Sequence, residues 1–424
     1  MKAFIGGVWQ SEFIRNSTKL LSANALSQVV AVLLLPFVTR IYSEHDMGVL
    51  GLFLSVGGFL ALFAGAKYEF AILLEEDHES AAAVFDLSFL LNLSFSVLIA
   101  LILFIAGDWI LKGLGYDCLL PYSMMIPLFA FLSALGLALT YWFNYNKQFT
   151  RTAIYNLEQV ASNNILKLGL GLYASGPTSL IAANQLSYVL ALLLSFIRKR
   201  NSAGLFCFSY PNMKRVAREH QKFPKYYLPH TILNYFSANL IILLLSASFD
   251  IGVIGLFSVA MMLGFRPIGL ISGSLEQVLS QNIAARVSQG GEILKFIRKL
   301  SLRTLSLALP GFVILYFVLP WIVNWYLGDG WDGVTLYLRL LLPFFLLTLL
   351  CGPISSIPSI VGFQGKALFV EVSMLLVRIL MLFIGIWKSS FILAVALFSL
   401  ASSLMLIGQY FWYFSLIKKY ECKL

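Results

Sequence analysis

The stretch Asp46–Phe53, read as DMGVLGLF, returns 204 residues later at Asp250–Phe257 as DIGVIGLF, with six of the eight positions identical. In each copy a long apolar run ends, an acidic residue appears, and glycines open the next apolar run. A period of this size has room for about six membrane crossings of roughly 20 residues each. An even number of crossings returns the chain to the same side, so the pattern predicts a parallel repeat about an axis along the membrane normal.

The composition is that of a polytopic membrane protein. The chain is 59% hydrophobic and only 12% charged, with a mean hydropathy of +0.84, whereas charged residues make up about 25% of soluble domains. The apolar runs are about 20 residues long, which predicts helices rather than the alternating short strands of a barrel. The first run, Leu20–Val38, lacks a small-residue cleavage site after it, so it reads as the first crossing rather than a signal peptide.

The apolar runs predict an all-α fold of about twelve transmembrane helices in two pseudo-twofold six-helix lobes. The predicted crossings lie near residues 18–40, 48–66, 83–106, 120–143, 153–174, 178–197, 227–249, 252–273, 303–326, 334–358, 367–387 and 390–414. The lobes are 1–197 and 226–424, separated by a basic connector at 198–225. The alternative to duplication is that two glycine-rich helix starts converged, since glycine is common in membrane helices. The octets occupy the same helix number in each half, which favours duplication.

Basic residues set the orientation, because Lys and Arg are retained on the cytoplasmic side of short loops. Of the 30 Lys and Arg residues, only Arg40, Lys112 and Lys388 fall in predicted outer segments. Both termini are therefore predicted to be cytoplasmic. The net charge of +10 follows from this asymmetry and from contact with anionic lipid heads. No basic, aromatic platform lies in a soluble domain, so nucleic acid is not an expected partner.

The connections carry no extramembrane domain. Within the basic connector, Asn212–Gln221 is polar enough to form a short helix on the cytoplasmic surface, and the basic connection at 276–302 is expected to do likewise. The four cysteines and four histidines are dispersed along the chain and show no metal-ligand spacing. Neither a metal site nor a cofactor is predicted.

The fifth crossing holds the most informative polar pattern. Asn156, Gln159, Asn163 and Lys167 recur at spacings of three, four and four, which places them on one stripe of a helix. Lys167 lies more than halfway through its apolar run, where an uncompensated cation costs about 3 to 10 kcal/mol. The site must therefore supply water, a ligand or an acidic partner. The neighbouring amides favour a cavity-lining role over an ion pair.

Two further crossings carry deep charges. Glu371 and Arg378 are seven residues apart, about 10 Å along one helix face, so a group between them would touch both; the alternative is mutual compensation through water. Arg266 precedes Pro267, which removes a backbone donor and leaves a carbonyl available at depth.

Asn24 and Gln28 share a face of the first crossing and are weaker candidates, since amides in membranes commonly bond to neighbouring helices. Ser, His and Asp do not assemble at plausible depth, and no GxxxxGK phosphate-binding loop is present. The sequence therefore predicts no enzyme and no nucleotide-driven pump. It predicts a protein that moves a substrate.

Several stretches resemble the Wzx-type polysaccharide flippases of the MOP (multidrug, oligosaccharidyl-lipid, polysaccharide) exporter superfamily. They are the segment FIRNSTKLLSANALSQVVAVLLLPFVTRIYSEHDMGVLGLF at 13–53, KYEFAILLEED at 67–77, YWFNYNKQF at 141–149 and FPKYYLPHTILN at 223–234. The resemblance spans the whole chain and includes twelve crossings in two lobes.

The resemblance implies flipping of undecaprenyl-diphosphate-linked oligosaccharide across the bacterial inner membrane, for O-antigen or a similar surface polymer. It implies a cationic cavity between the lobes, lined by helix-borne cations at Lys167, Arg266 and Arg378, with the polyprenyl tail left in lipid. A polysaccharide polymerase is a candidate partner. A MATE-like cation-coupled exporter and a lipid II-type flippase are the alternatives. A MATE-like exporter should favour buried acids without compensating bases.

Overall fold

The computed structural model describes residues 25–198, 206, 208–289, 293–360 and 363–421, and the regular structure in these residues is helical throughout. By contacts, the chain divides into two compact units, Met1–Ala247 and Ser248–Leu424. The helices of the first unit are α1 (Ala25–Ile41), α2 (Glu44–Ala64), α3 (His78–Gly113), α4 (Met125–Tyr145), α5 (Phe149–Tyr173), α6 (Pro177–Ile197), α7 (Tyr210–Glu219) and α8 (Leu228–Leu245). Short 3₁₀ turns at Tyr68–Leu74 and Asp117–Tyr122, and a π turn at Phe223–Tyr227, join some of them.

The second unit is built the same way, from long helices joined by short turns. It contains α9 (Ile251–Gln289), α10 (Ile293–Leu327), α11 (Asp332–Cys351), α12 (Ile357–Ile360), α13 (Gln364–Trp387) and α14 (Phe391–Glu421). Within it α11 packs on α9, α10 and α14, and α13 packs on α14. In the first unit α4 packs on α2 and α3, and α5 packs on α6.

The predicted all-α, polytopic membrane fold is confirmed. Among the described residues, ten helices are long and apolar enough to cross a membrane, and Ala25–Ile41 is a shorter apolar helix. The remaining predicted crossing is α5, whose 25 residues match the others in length. Its polar stripe lowers its hydropathy. These helices occupy the twelve positions predicted from the sequence.

The unit boundary differs from the lobe boundary that the repeat indicates. The contacts group α8, the seventh crossing, with the first unit, since α8 packs against α2. Tyr235 of α8 donates from its hydroxyl to the carbonyl of Ser55 at 3.1 Å. The division into lobes at 1–197 and 226–424, and their pseudo-twofold relation, stay predictions.

Both octets of the repeat open helices, α2 and α9. Ser43 caps α2: its hydroxyl accepts from the Asp46 N–H at 3.2 Å, and the Asp46 carboxylate accepts from the Ser43 N–H at 2.9 Å, a reciprocal arrangement that satisfies two end donors. Asp250 instead precedes α9 and accepts from the Gly252 N–H at 2.8 Å. The two acids thus perform the same task from different positions at the helix start.

The connector contains a helix, as the sequence indicates, but the helix is docked on the first unit. Met213 and Val216 of α7 are buried in the hydrophobic core that α3 and α4 form. The Asp86 carboxylate of α3, 1% exposed, accepts from the backbone N–H groups of Phe206 and Phe208 at 2.9 Å each. A carboxylate that binds two N–H groups holds this end of the connector.

The basic connection at 276–302 differs from its prediction as a separate surface helix. The structure continues α9 to Gln289 and begins α10 at Ile293. Ile283 and Ile293 are each 1% exposed and pack in one core cluster with Tyr413 and Ile417 of α14. Because α14 extends far enough to cover these apolar side chains, they lie inside the fold rather than on a surface.

Candidate functional site

The polar stripe of α5 is partly covered by the rest of the protein. Asn156, Gln159, Asn163 and Lys167 are all half-buried. Gln159 donates to the Ser187 hydroxyl of α6 at 3.3 Å. The Asn163 side-chain oxygen is buried without a hydrogen-bond partner among the described residues. At their helical spacing these residues share one face of α5.

A cavity of about 420 Å³ lies beside one end of this stripe, among α4, α5 and α6. It is lined by Ser133, Gly136, Leu137, Thr140, Tyr141, Asn144, Thr152, Tyr155, Asn156, Gln159 and Tyr188. Asn156 and Gln159 are thus the two stripe residues that line it. Asn163 and Lys167 lie further along α5 and are not among its lining residues.

The sequence alone did not indicate the aromatic and hydroxyl-bearing residues that line this cavity. Tyr155 is 4% exposed, and its hydroxyl has no hydrogen-bond partner among the described residues. Thr152 donates to the Asn144 side-chain oxygen at 2.8 Å. Helical spacing could have identified some of them, because Thr152, Tyr155 and Asn156 precede Gln159 by seven, four and three residues.

The backbone carbonyl of Lys167 links α5 to a neighbouring turn. Its carbonyl accepts from the Tyr42 hydroxyl at 2.7 Å, which ties α5 to the turn between α1 and α2. Gly171, one turn later, faces the same tyrosine, and a Cβ there would lie 2.6 Å from the Tyr42 oxygen. The close approach of α5 to this turn thus requires glycine.

Arg378 of α13 is embedded between aromatic rings. Its Nε donates to the Ser402 hydroxyl of α14 at 3.0 Å, and its guanidinium carbon lies 5.4 Å from the Phe398 ring centre and 5.9 Å from that of Phe344. Such contacts stabilise a cation by about 0.5 to 2 kcal/mol each. Glu371, by contrast, is exposed. The structure therefore gives Arg378 a built environment and leaves Glu371 at the unit's surface.

Arg266 is half-buried on α9. The helix continues through Pro267, and both Pro267 and Tyr326 line an apolar cavity of about 350 Å³. Of the first-crossing candidates, Gln28 is half-buried on α1. Asn24 lies outside the described residues.

Two charged residues that directly follow α2 are buried as an ion pair. Lys67 Nζ lies 3.5 Å from Glu69 Oε1, and the two residues are 4% and 5% exposed. Burial raises the pKa of the Glu69 carboxyl, and the Lys67 ammonium offsets part of this increase. The pair lies in the turn between α2 and α3, outside the candidate spans.

One group of metal-ligating residues comes together in the described part of the chain, although the sequence spacing did not indicate it. Ligand atoms of Glu75, Glu219 and His220 lie within 4.8 Å of one another. His220 Nε2 is 2.6 Å from Glu75 Oε1, the distance of a direct charge-assisted hydrogen bond. This contact joins the connector helix to the segment before α3 and satisfies both groups without an ion.

Comparison with known proteins identifies the family. Residues 37–336 match the family described as polysaccharide biosynthesis protein. The chain belongs to this family. No curated protein matches the chain in sequence.

Solved structures of MOP superfamily transporters share the fold of this family member. An inward-facing multidrug resistance MATE family transporter of the MOP superfamily matches with a TM-score of 0.70 at 17% identity, covering 94% of this chain and 95% of its own. A MATE transporter from Vibrio cholerae matches with a TM-score of 0.58 at 13% identity, covering 96% and 97%. A MOP superfamily transporter from Pyrococcus furiosus, described as having a binding pocket of reverse polarity, matches with a TM-score of 0.54 at 15% identity, covering 97% and 96%.

The family and the fold together confirm the resemblance to Wzx-type flippases of the MOP superfamily. The chain is thus a multi-pass membrane protein of a polysaccharide biosynthesis family, with the fold of MOP superfamily transporters.

Proposed function

We propose that this protein flips undecaprenyl-diphosphate-linked oligosaccharide repeat units from the cytoplasmic to the periplasmic leaflet of the bacterial inner membrane, for O-antigen or a related surface polymer. The observation that carries the proposal is the family match over residues 37–336 on a MOP transporter fold. A polysaccharide polymerase that receives the repeat unit is the protein partner we propose.

The diphosphate is the part of this substrate that membrane cations would recognise. Lys167, Arg266 and Arg378 each lie on a long helix and are half-buried. Arginine binds phosphate through a planar pair of donors, and lysine binds it as a point charge. The Phe344 and Phe398 rings hold the Arg378 guanidinium in place, so less side-chain freedom is lost when an anion binds.

A MATE-like cation-coupled exporter is the second candidate, because the solved structures cited above include multidrug transporters with this fold. The acids of the α5 and α13 crossings argue against it, and the buried Asp86 is occupied by the backbone N–H groups of Phe206 and Phe208. Glu158 of α5 forms an ion pair with Arg198, and Glu371 is exposed, so neither is a buried acid awaiting a cationic drug. The Pyrococcus furiosus transporter, with its pocket of reverse polarity, supports the view that this fold accepts substrates of either charge. A lipid II-type flippase shares the diphosphate chemistry and differs in the sugar.

The test is complementation of surface-polymer synthesis in a flippase-deficient strain, normalised to the amount of protein in the membrane. Arg378→Gln and Lys167→Gln should lower polymer synthesis roughly tenfold or more, since removing one member of a charge pair costs about 2 to 5 kcal/mol. Arg378→Lys should recover only part of the activity, because the charge remains and the planar contact is lost.

The matched control is Arg339→Gln. Arg339 is also a helix-borne arginine, but it lies only a few residues inside the predicted outer end of its crossing, where its side chain can reach the interface. We expect it to retain activity. Full activity in both Arg378→Gln and Lys167→Gln would refute the role of these cations. A loss of activity that follows low protein abundance and is rescued by neutralising Glu371 would assign Arg378 to a structural role.

A further inference from the structure

The cavity among α4, α5 and α6 is polar but carries no charge. None of its eleven lining residues is Asp, Glu, Lys, Arg or His. Hydroxyls, side-chain amides and three tyrosine rings form most of the lining. Its volume of about 420 Å³ falls within the range of roughly 300 to 1,000 Å³ that is usual for small-molecule sites.

This lining fits three other ligand classes poorly. A diphosphate needs cationic partners when it leaves water, and a cationic drug would meet no acid, because the cavity offers no charged group. A lipid tail requires an apolar lining, as in the cavity beside Pro267 and Tyr326 in the second unit. A neutral polyhydroxyl compound fits best, because amides and hydroxyls both donate and accept hydrogen bonds.

The aromatic residues are fixed in positions that suit a sugar. Tyr188 packs edge-on against Phe129, with ring centres 5.9 Å apart, and Tyr141 packs against Phe70 at 4.6 Å. Each tyrosine therefore offers an apolar ring and a polar hydroxyl from a rigid position. A sugar presents the matching pair of surfaces, with C–H groups on its faces and hydroxyls at its edges.

The Tyr155 hydroxyl is the buried polar group of this cavity that a ligand would satisfy. It is buried, it lines the cavity, and it has no hydrogen-bond partner among the described residues. A buried polar group without a partner costs about 1 to 3 kcal/mol, so such groups are rare unless a ligand or water satisfies them. Gly136 makes room for it, since a Cβ at that position would collide with the hydroxyl and lie 3.2 Å from the ring carbon that bears it.

The position of the cavity along its helices agrees with glycan loading. Asn144 lies at the C-terminal end of α4 and Thr152 near the N-terminal end of α5. On the predicted orientation both ends are cytoplasmic, which is the side where the proposed substrate begins. Tyr141 and Asn144 also belong to the stretch YWFNYNKQF.

We infer that the cavity among α4, α5 and α6 binds a neutral sugar of the lipid-linked glycan, separately from the cations that bind its diphosphate. The inference rests on the proposed function and adds the site at which the sugar is read. Tyr155 donates or accepts a hydrogen bond with a sugar hydroxyl, and the amides of Asn156 and Gln159 lie within the same cavity.

Binding to the purified full-length protein tests this inference with two probes. One is the lipid-linked repeat unit extracted from a strain that lacks the transporter and accumulates it; the other is undecaprenyl diphosphate without sugar. Tyr155→Phe should weaken binding of the lipid-linked repeat unit about fivefold, the effect of one hydrogen bond, and leave binding of undecaprenyl diphosphate unchanged. The matched control is Tyr173→Phe, the same change on the same helix at a side chain that is 93% exposed, which should alter neither.

The outcomes separate the inference from the proposed function. Equal binding of the repeat unit by wild type and Tyr155→Phe would overturn the sugar site and leave flipping intact. An equal loss for both probes in Tyr155→Phe would also overturn it, since the hydroxyl would then act on the lipid phosphate or on the fold. Failure of the wild-type protein to bind either probe would overturn the proposed function and the sugar site with it.

Discussion

At the scale of single residues, the burial of Lys67 and Glu69 shows what helical periodicity cannot reveal. Both stand directly after α2, where charged residues usually mark a helix end in water, yet both are about 95% covered. Lys67 has a φ of +64°, a left-handed conformation that costs roughly 1 to 2 kcal/mol for a residue with a Cβ. The surrounding structure must supply that energy, so this turn is a fixed element of the fold.

The Glu69 carboxyl should make the stability of the protein depend on pH. Its folded pKa is raised by burial, so its contribution is fully present below the unfolded pKa of about 4.3 and is lost as pH rises through the folded pKa. We expect the melting temperature of the detergent-solubilised protein to fall as the pH rises from the unfolded pKa through the folded pKa of Glu69. Glu69→Gln should flatten this part of the profile.

The control for Glu69 is Glu76→Gln, because Glu76 is an exposed acid a few residues away. That variant should retain the wild-type pH profile. An unchanged profile in Glu69→Gln would show that Glu69 does not titrate in this range.

At the scale of helices, the sequence predicted where the helices form, but it did not predict which distant residues they contact. The apolar runs located the crossings, and the spacing of Asn156, Gln159 and Asn163 put them on one face of α5. The cavity was not predictable, because Tyr188 reaches it only through the packing of α6 on α5, which is not encoded in the local pattern of α5. Asp86 was missed for the same reason: its partners lie about 120 residues away in sequence.

The connector should loosen when Asp86 is replaced. Asp86→Ala removes the acceptor for two backbone N–H groups, each bond to a charged group contributing about 1.5 to 3 kcal/mol. We expect faster trypsin cleavage at the basic residues of the connector in inside-out membrane vesicles. Glu79→Ala is the control, since Glu79 is exposed and accepts from a side chain, that of Asn212 at 2.7 Å, rather than from the connector backbone. A cleavage rate equal to wild type in Asp86→Ala would mean that the buried Met213 and Val216 suffice to dock the helix.

At the scale of the whole molecule, the repeat is visible in the packing partners of its two octets. The ring centres of Phe53 and Phe129 of the fourth crossing are 5.7 Å apart, and those of Phe257 and Tyr337 of the tenth crossing are 6.3 Å apart. The same aromatic contact thus recurs six crossings later. This agreement supports duplication, although the pseudo-twofold relation between the lobes stays a prediction.

The topology prediction is testable by labelling from outside the cell. In a variant without native cysteines, Asp108→Cys and Asp329→Cys should react with a membrane-impermeant maleimide in intact spheroplasts, because the sparse basic residues place these turns outside. Lys214→Cys on α7 should react only after the membrane is opened. The reverse pattern would overturn the orientation, and with it the cytoplasmic placement of the sugar cavity.

Transport itself should depend on the membrane potential. The diphosphate carries about two negative charges, and an inside-negative potential favours outward movement of each charge by roughly 2.3 kcal/mol per 100 mV. This driving force acts only if Lys167, Arg266 and Arg378 stay in the protein while the substrate crosses, since cations that moved with it would cancel its charge.

Collapsing the potential with a potassium ionophore in proteoliposomes should therefore slow flipping of labelled lipid-linked glycan, and an imposed potential of opposite sign should slow it further. A proton ionophore at zero potential serves as the control for gradient coupling. If the flipping rate does not depend on the potential but falls when the proton gradient is removed, the protein is an antiporter. If the rate depends on neither, the protein's own cations must compensate the diphosphate charge throughout the crossing.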